Sequence, residues 1–223
     1  MIEILILRNA SLSISVWSQF RNDLHQFIYR FGLSPYGFCH FSAICGRDRL
    51  IPELPEVETV KLALMPALQG RAVLSAFVGR KDLRWPLPEN LAERLNGRQF
   101  TRLSRRGKYV MMMLDNGEVL LLHLGMSGSI RIHEDKPALG KHDHFMLEMA
   151  PADDQGGVSY VVLNDPRRFG WIDLFAESAM AEHKLLAGMG PEPLGNEFSD
   201  AHLQAVFKGR TGPVKNALLN QQL

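Results

Sequence analysis

Asp115-Asn116-Gly117 stands between two apolar runs, Tyr109–Leu114 and 118–124, and leaves the chain little conformational choice there. Asn-Gly supplies the positive φ that a tight reversal between antiparallel strands demands, so this stretch predicts a β-hairpin. A lone hairpin is marginal in water and needs further strands or a helix to cover its apolar face. The neighbouring sequence offers them. Antiparallel β-structure is predicted across 100–132, and a second pair, 145–149 and 158–163, is joined by Asp153-Asp154-Gln155-Gly156-Gly157. Residues 71–79, rich in β-formers, predict one strand more. Short strands with regular turns predict a two-layer antiparallel β-sandwich.

Helical patterns flank these strands, which makes the fold class α+β. In Pro52-Glu53-Leu54-Pro55-Glu56-Val57-Glu58-Thr59-Val60, Pro55 suits a first helical turn and Glu56 and Glu58 complement its positive end. Val57, Val60, Leu64 and Leu68 then share one face, predicting an amphipathic helix to about Gly70. Leu83-Arg84-Trp85-Pro86 reads as a loop and Leu91–Leu95 as a short helix. Beyond Glu182 the pattern turns helical again, at 181–187, Asp200–Phe207 and 214–223. Residues 1–50 carry no motif; a strand is read at 2–7 and a helix at 18–31.

Composition narrows the class. Of 223 residues 46% are hydrophobic, enough for a sizeable core. No apolar run approaches the roughly 18 residues that span a bilayer, and the first 20 residues lack the order of a secretory signal. Two cysteines, Cys39 and Cys45, are too few for a disulfide scaffold and are not spaced as a zinc pair. A soluble protein of a reducing, cytoplasmic compartment is expected. A net charge of +1 neither favours nor excludes nucleic acid, because phosphate binding needs a basic face rather than a basic total.

Three polar clusters interrupt the β-rich part: Arg105-Arg106-Gly107-Lys108, Lys141-His142-Asp143-His144, and Asn164-Asp165-Pro166-Arg167-Arg168-Phe169-Gly170. Each falls at a strand end, so all three can gather on one rim of a sandwich. With Lys208, Arg210 and Lys215 they predict a basic surface for phosphates, and Met126 and Phe169 offer apolar tips that could open a base stack. Each cluster also has a plainer reading: a solvated strand end, an outward-facing histidine pair, two core side chains. His142 and His144 provide only two nitrogens toward a metal, which does not complete a site, so no metal is expected.

In order along the chain, Pro-Glu-Leu-Pro-Glu-Val-Glu-Thr-Val at 52, Leu-Arg-Trp-Pro at 83, Arg-Arg-Gly-Lys-Tyr at 105, His-Leu-Gly-Met-Ser-Gly-Ser at 123, His-Asp-His at 142 and Asn-Asp-Pro-Arg-Arg-Phe-Gly at 164 are joined by Gly-Pro-Glu-Pro-Leu-Gly ending at Gly195. Through these blocks residues 52–223 resemble formamidopyrimidine-DNA glycosylase, the bacterial base-excision enzyme for oxidised purines. The opening Pro-Glu-Leu-Pro favours this branch over the endonuclease VIII relatives. The resemblance implies Pro52 as the amine nucleophile, Glu53 as the acid-base carboxylate and Lys108 as a β-elimination lysine. It further implies His142, Arg167, Arg210 and Lys215 as DNA-binding residues, and Met126, Arg167 and Phe169 as the wedge filling the space of an extruded base. The implied partner is double-stranded DNA containing 8-oxoguanine or formamidopyrimidines, bound by a monomer.

Two departures accompany the resemblance. Ile51 precedes Pro52, whose nitrogen is then an amide with a delocalised lone pair and no nucleophilicity. The glycosylase and abasic-site lyase reading therefore requires Pro52 to become a free N-terminus, and the alternative is an inactive fragment that retains damaged-DNA binding. The family also continues past the position of Leu223 into the rest of a helix-two-turns-helix element and a four-cysteine zinc finger. The expected organisation is accordingly an extension at 1–51, a catalytic β-sandwich at 52–180 and the first part of a helix-two-turns-helix domain at 181–223, without zinc finger or cofactor.

Overall fold

The computed structural model describes residues 51–152, 157–193 and 195–220. The readings at 2–7 and 18–31, most of the 153–157 turn, Leu194 and residues 221–223 lie outside them. Helix α1 (Leu54–Leu68) opens the described chain, with Glu53 at its N-cap and Pro55 in its first turn. The Glu56 carboxylate reaches back to accept the Glu53 backbone N–H at 3.0 Å, satisfying a donor that the helix itself leaves unpaired. Val57, Leu64, Ala67 and Leu68 are buried, so the predicted apolar face is the one that packs.

Two four-stranded antiparallel sheets follow. One has the order β1-β6-β7-β5, with β1 Val73–Val78, β5 Ser129–His133, β6 Asp143–Met149 and β7 Ser159–Asn164. The other runs β2-β3-β4-β8, with β2 Phe100–Arg106, β3 Tyr109–Leu114, β4 Glu118–His123 and β8 Trp171–Ala176. Short helix α2 (Leu91–Leu95) lies between β1 and β2 in sequence. The hairpin forms as expected, Val110 facing Leu122 and Met112 facing Leu120, and Gly117 takes φ +77° in its turn. Strand β8 has no counterpart among the expected strands.

Strands β3 and β4 are apolar on both faces because both faces are covered. Val110, Met112, Leu114, Leu120 and Leu122 join α1 and the second sheet in the main core. Met111, Met113, Val119 and Leu121 point the other way, against Leu186, Met180, Leu185 and Met189. The segment supplying that cover is not the helix expected at 181–187. It is a 3-10 helix (Glu177–Glu182) followed by turns. Tertiary anchoring overrides helix propensity there: His183 stacks on Phe175 at 4.1 Å and sits 3.2 Å from the Asp173 carboxylate, while Leu186 is buried. Helix α3 (Asp200–Phe207) matches expectation, capped by Ser199 Oγ, which accepts the His202 N–H. Helix α4 (Val214–Leu218) ends earlier than the expected 223.

Candidate active site and nucleic-acid interface

Strand register brings the three polar clusters to one rim. Tyr109 at the start of β3 faces His123 at the end of β4, which faces Trp171 at the start of β8. In the other sheet Asp143 at the start of β6 faces Asn164 at the end of β7. The segment 165–170 therefore crosses from one sheet to the other along this edge.

At one side of the rim Glu53 and Lys108 meet. Pro52 is half-buried in the coil before α1, and the next residue, Glu53, forms an ion pair with the Lys108 ammonium. Residues 55 positions apart are joined because α1 starts where the β2–β3 turn ends. That turn is held from three sides. Arg105 donates from Nη1 to the Gly107 carbonyl at 2.9 Å and from Nε to Glu58 on α1 at 2.8 Å; Gly107 N–H donates to Glu192 Oε1 at 2.6 Å. Gly107 itself has φ +54°, a left-handed conformation that glycine adopts without strain.

This network corrects the expectation that Arg105 and Arg106 face phosphates. Arg105 is 11% exposed and ion-paired to Glu58 and Glu192, each at 2.8 Å. Arg106 donates to the carbonyls of Met189 and Gly190 at 3.2 and 2.6 Å. Both guanidiniums are spent fastening α1 and residues 189–192 to the turn that carries Lys108. Glu58 is held below the usual carboxylate range by its bonds to Lys61 and Arg105, against the opposing effect of its burial.

His123 lies beside the pair, its ring 4.9 Å from that of Tyr109. Its Nδ1 accepts the Gly125 N–H at 3.0 Å. Burial, with Lys108 and Arg84 adding positive potential, lowers its pKa from 6.5 to about 4, Glu53 opposing. At neutral pH it is an uncharged imidazole with its proton on Nε2. His123 and Arg84 are site residues that sequence reasoning placed only inside matched blocks; a strand-end histidine after an apolar run gives no separate sign.

Two residues beyond His123 the chain enters a loop whose Met126 is 38% exposed, facing the loop of Phe169, 41% exposed. Neither side chain is core. Arg167 joins them, donating from Nη2 to the Met126 carbonyl at 2.8 Å, its guanidinium carbon 5.4 Å from the Phe169 ring centre. Beneath, the fully buried Asp165 carboxylate accepts Ser127 Oγ–H at 2.6 Å and Gly170 N–H at 2.7 Å, so one side chain clamps both loops. Gly125, at φ +64°, approaches so closely that a Cβ there would stand 2.3 Å from the Phe169 carbonyl carbon.

His142 is half-buried, and its carbonyl accepts the Asp165 N–H at 2.9 Å. It immediately precedes β6, and its ring stands 6.4 Å from that of His144, edge-on at 82°. His144 is buried, its Nε2 3.0 Å from the Asp165 carbonyl oxygen. Among the described residues no three His, Cys, Asp or Glu side chains gather as a metal requires. Arg210 and Lys215 are exposed, at the turn after α3 and on α4, and among the described residues no hydrogen bond or ion pair joins them to the Glu53–Lys108 pair. No helix among the described residues is long and apolar enough to cross a membrane.

Residues 51–172 match the formamidopyrimidine-DNA glycosylase N-terminal domain. Formamidopyrimidine-DNA glycosylases of Jannaschia sp. (strain CCS1) and Ruegeria pomeroyi are 49% and 50% identical over 181 and 179 residues, 78% and 77% of this chain. The chain spans 62% and 61% of the length of those two relatives. Among solved structures, Lactococcus lactis Fpg in complex with abasic-site DNA superposes with TM-score 0.67 at 29% identity, covering 77% of this chain and 62% of that one. The wild-type L. lactis protein with DNA containing N7-benzyl-Fapy-dG gives TM-score 0.67 at 30% identity, covering 77% and 61%.

Proposed function

The chain belongs to the formamidopyrimidine-DNA glycosylase family, and from that membership we propose that it serves base-excision repair, removing oxidised purines and nicking the resulting abasic site by β-elimination. The observation that carries the reading is the contact of Glu53 with Lys108 immediately beside Pro52. As a free secondary amine, Pro52 attacks C1′ of the damaged nucleoside; the glycosidic bond breaks and its electrons leave with the base. The sugar ring opens with proton transfer from Glu53, and C1′ becomes an iminium carbon. That cation is an electron sink: the C2′ proton departs, its electrons form a double bond to C3′, and the 3′ phosphate is expelled. Lys108 supplies positive charge next to the reacting sugar and assists this elimination.

The target base must leave the stack first, at a cost of a few kcal/mol. Met126, Arg167 and Phe169 are the wedge that fills its place, Arg167 facing the orphaned cytosine. Their exposure above a buried clamp suits that work. His142, Arg167, Arg210 and Lys215 hold the DNA backbone and approach the base pocket. Residues 52–180 form the catalytic unit, and 181–223, with α3 and α4, the beginning of a DNA-gripping helical domain; the protein acts as a monomer. A second reading is favoured by the Ile51–Pro52 peptide bond: with that bond intact the chain binds damaged DNA without cutting it.

Borohydride trapping separates the two. A chain beginning at Pro52 is expected to give a covalent adduct with duplex DNA containing 8-oxoguanine, and the chain retaining residues 1–51 none. No adduct from the former, at protein concentrations where the duplex is bound, sinks the enzymatic reading and leaves the binding one.

A further inference from the structure

One aromatic feature of the rim lies outside the wedge. Trp85 is 50% exposed, yet the loop that carries it is closed tightly: Leu83 is buried, Leu83 N–H donates to the Trp85 carbonyl at 3.0 Å, and Leu87 N–H donates to the Lys81 carbonyl at 2.9 Å. Asp82 and Pro86 form an antiparallel bridge across it. The loop is tied to the wedge, since Arg84 N–H donates to the carbonyl of Gly170, the residue after Phe169, at 3.3 Å. One side of the Trp85 ring leans on Trp171, 5.4 Å between centres at 36°, and Lys184 Nζ stands 5.1 Å from the Trp171 ring centre.

Charge is arranged to match. Asp82 is paired with Arg80 at 3.1 Å, while Arg84 makes no ion pair among the described residues and lies close enough to His123 and Tyr109 to perturb both. A rigid, half-exposed indole backed by a second indole, with an uncommitted guanidinium on the next residue toward the reactive pair, is a stacking surface beside a phosphate site. An isolated exposed tryptophan would need no explanation, but this one is buttressed on one side and hydrogen-bonded through its neighbour to the wedge loop.

We infer that Trp85 is a platform on which the face of the base left without a partner at the lesion stacks, its edge toward Arg167, with Arg84 on an adjoining phosphate. This rests on the DNA-binding reading above and adds a nucleobase subsite to it. Stacking on an aromatic face contributes about 1–3 kcal/mol per base and tolerates any base, so the platform strengthens binding only where the duplex has lost a pair.

The test is a fluorescence-anisotropy titration of the full chain with two labelled duplexes, one bearing a stable tetrahydrofuran abasic analogue and one fully paired. Trp85→Ala is expected to bind the abasic duplex roughly tenfold more weakly and the paired duplex within about twofold of the wild type, as loss of one stacked base requires. Trp85→Phe keeps an aromatic face and is expected to retain most of the affinity while melting with the wild type. Tryptophan emission of the wild type should be quenched by the abasic duplex more than that of Trp85→Phe. Equal weakening on both duplexes, no weakening, or identical quenching in Trp85→Phe overturns the platform. A wild-type chain that binds neither duplex overturns it too, and is recognisable as failure of the DNA-binding reading itself.

Discussion

His123 shows how much one side chain at the rim is governed by its surroundings. Folding lowers its pKa from 6.5 to about 4 through burial and the charges of Lys108 and Arg84. A base with a depressed folded pKa is protonated more readily in the unfolded chain. Its contribution to stability is therefore complete above pH 6.5 and lost as the pH falls toward 4. At about 1.4 kcal/mol per pH unit, the part of that loss falling between pH 6.5 and 4.5 amounts to roughly 2–3 kcal/mol. Urea denaturation at pH 7 and pH 4.5 checks it. The wild type should lose more stability between the two than His123→Gln, and equal losses would show that the imidazole does not carry the effect. The same logic keeps His123 neutral across the physiological range, so the Glu53–Lys108 pair has no titrating histidine beside it near pH 7.

At the scale of elements, the paired loops at 125–128 and 166–170 depend on backbone proximity as much as on side chains. Gly125 and Gly117 both have positive φ, +64° and +77°, but of the two only Gly125 has another segment of the backbone within reach of a Cβ. Gly117→Ala should cost only the left-handed penalty, about 1–2 kcal/mol. Gly125→Ala should cost more, by about 1–3 kcal/mol, because Phe169 must move. Equal midpoints and slopes in urea for the two variants would refute this close approach. Of these elements the hairpin was plain in the sequence, since Asn-Gly between apolar runs has few alternatives. Strand β8 was not. Trp-Ile-Asp-Leu-Phe-Ala follows directly on a polar cluster, and its only local sign is alternation, with Ile172 and Leu174 buried between half-exposed Trp171, Asp173 and Phe175. The 181–187 segment misled in the opposite direction: Ala, Glu, Lys and Leu favour a helix, whereas the anchors that refuse it, Asp173 and Phe175, lie about ten residues upstream. At the site, Glu53, Lys108, Met126, Arg167 and Phe169 were reached through the ordered motifs. Pairing of Arg105 with Glu58 and Glu192 was invisible because both carboxylates are remote in sequence.

For the molecule as a whole the formal charge of +1 conceals a division of labour among its cations. Arg105 and Arg106 are committed internally, whereas Arg84, Arg167, Arg210 and Lys215 are exposed and free of ion pairs among the described residues. Each of them that meets a phosphate should steepen the fall of log K with log salt by about 0.9. Arg210→Ala should flatten the slope by about 0.9 without altering stability, and Arg105→Ala should lower stability and leave the slope unchanged. Salt titrations of DNA binding beside urea melts distinguish the two classes, and a slope change in Arg105→Ala would return that residue to the phosphate surface. The Asp165 clamp has a consequence at this scale as well. Since a single sequestered carboxylate moors both fingertips, neither can be re-aimed without disturbing its twin. Any change in what the rim prefers to grasp has to be made in the outermost side chains themselves.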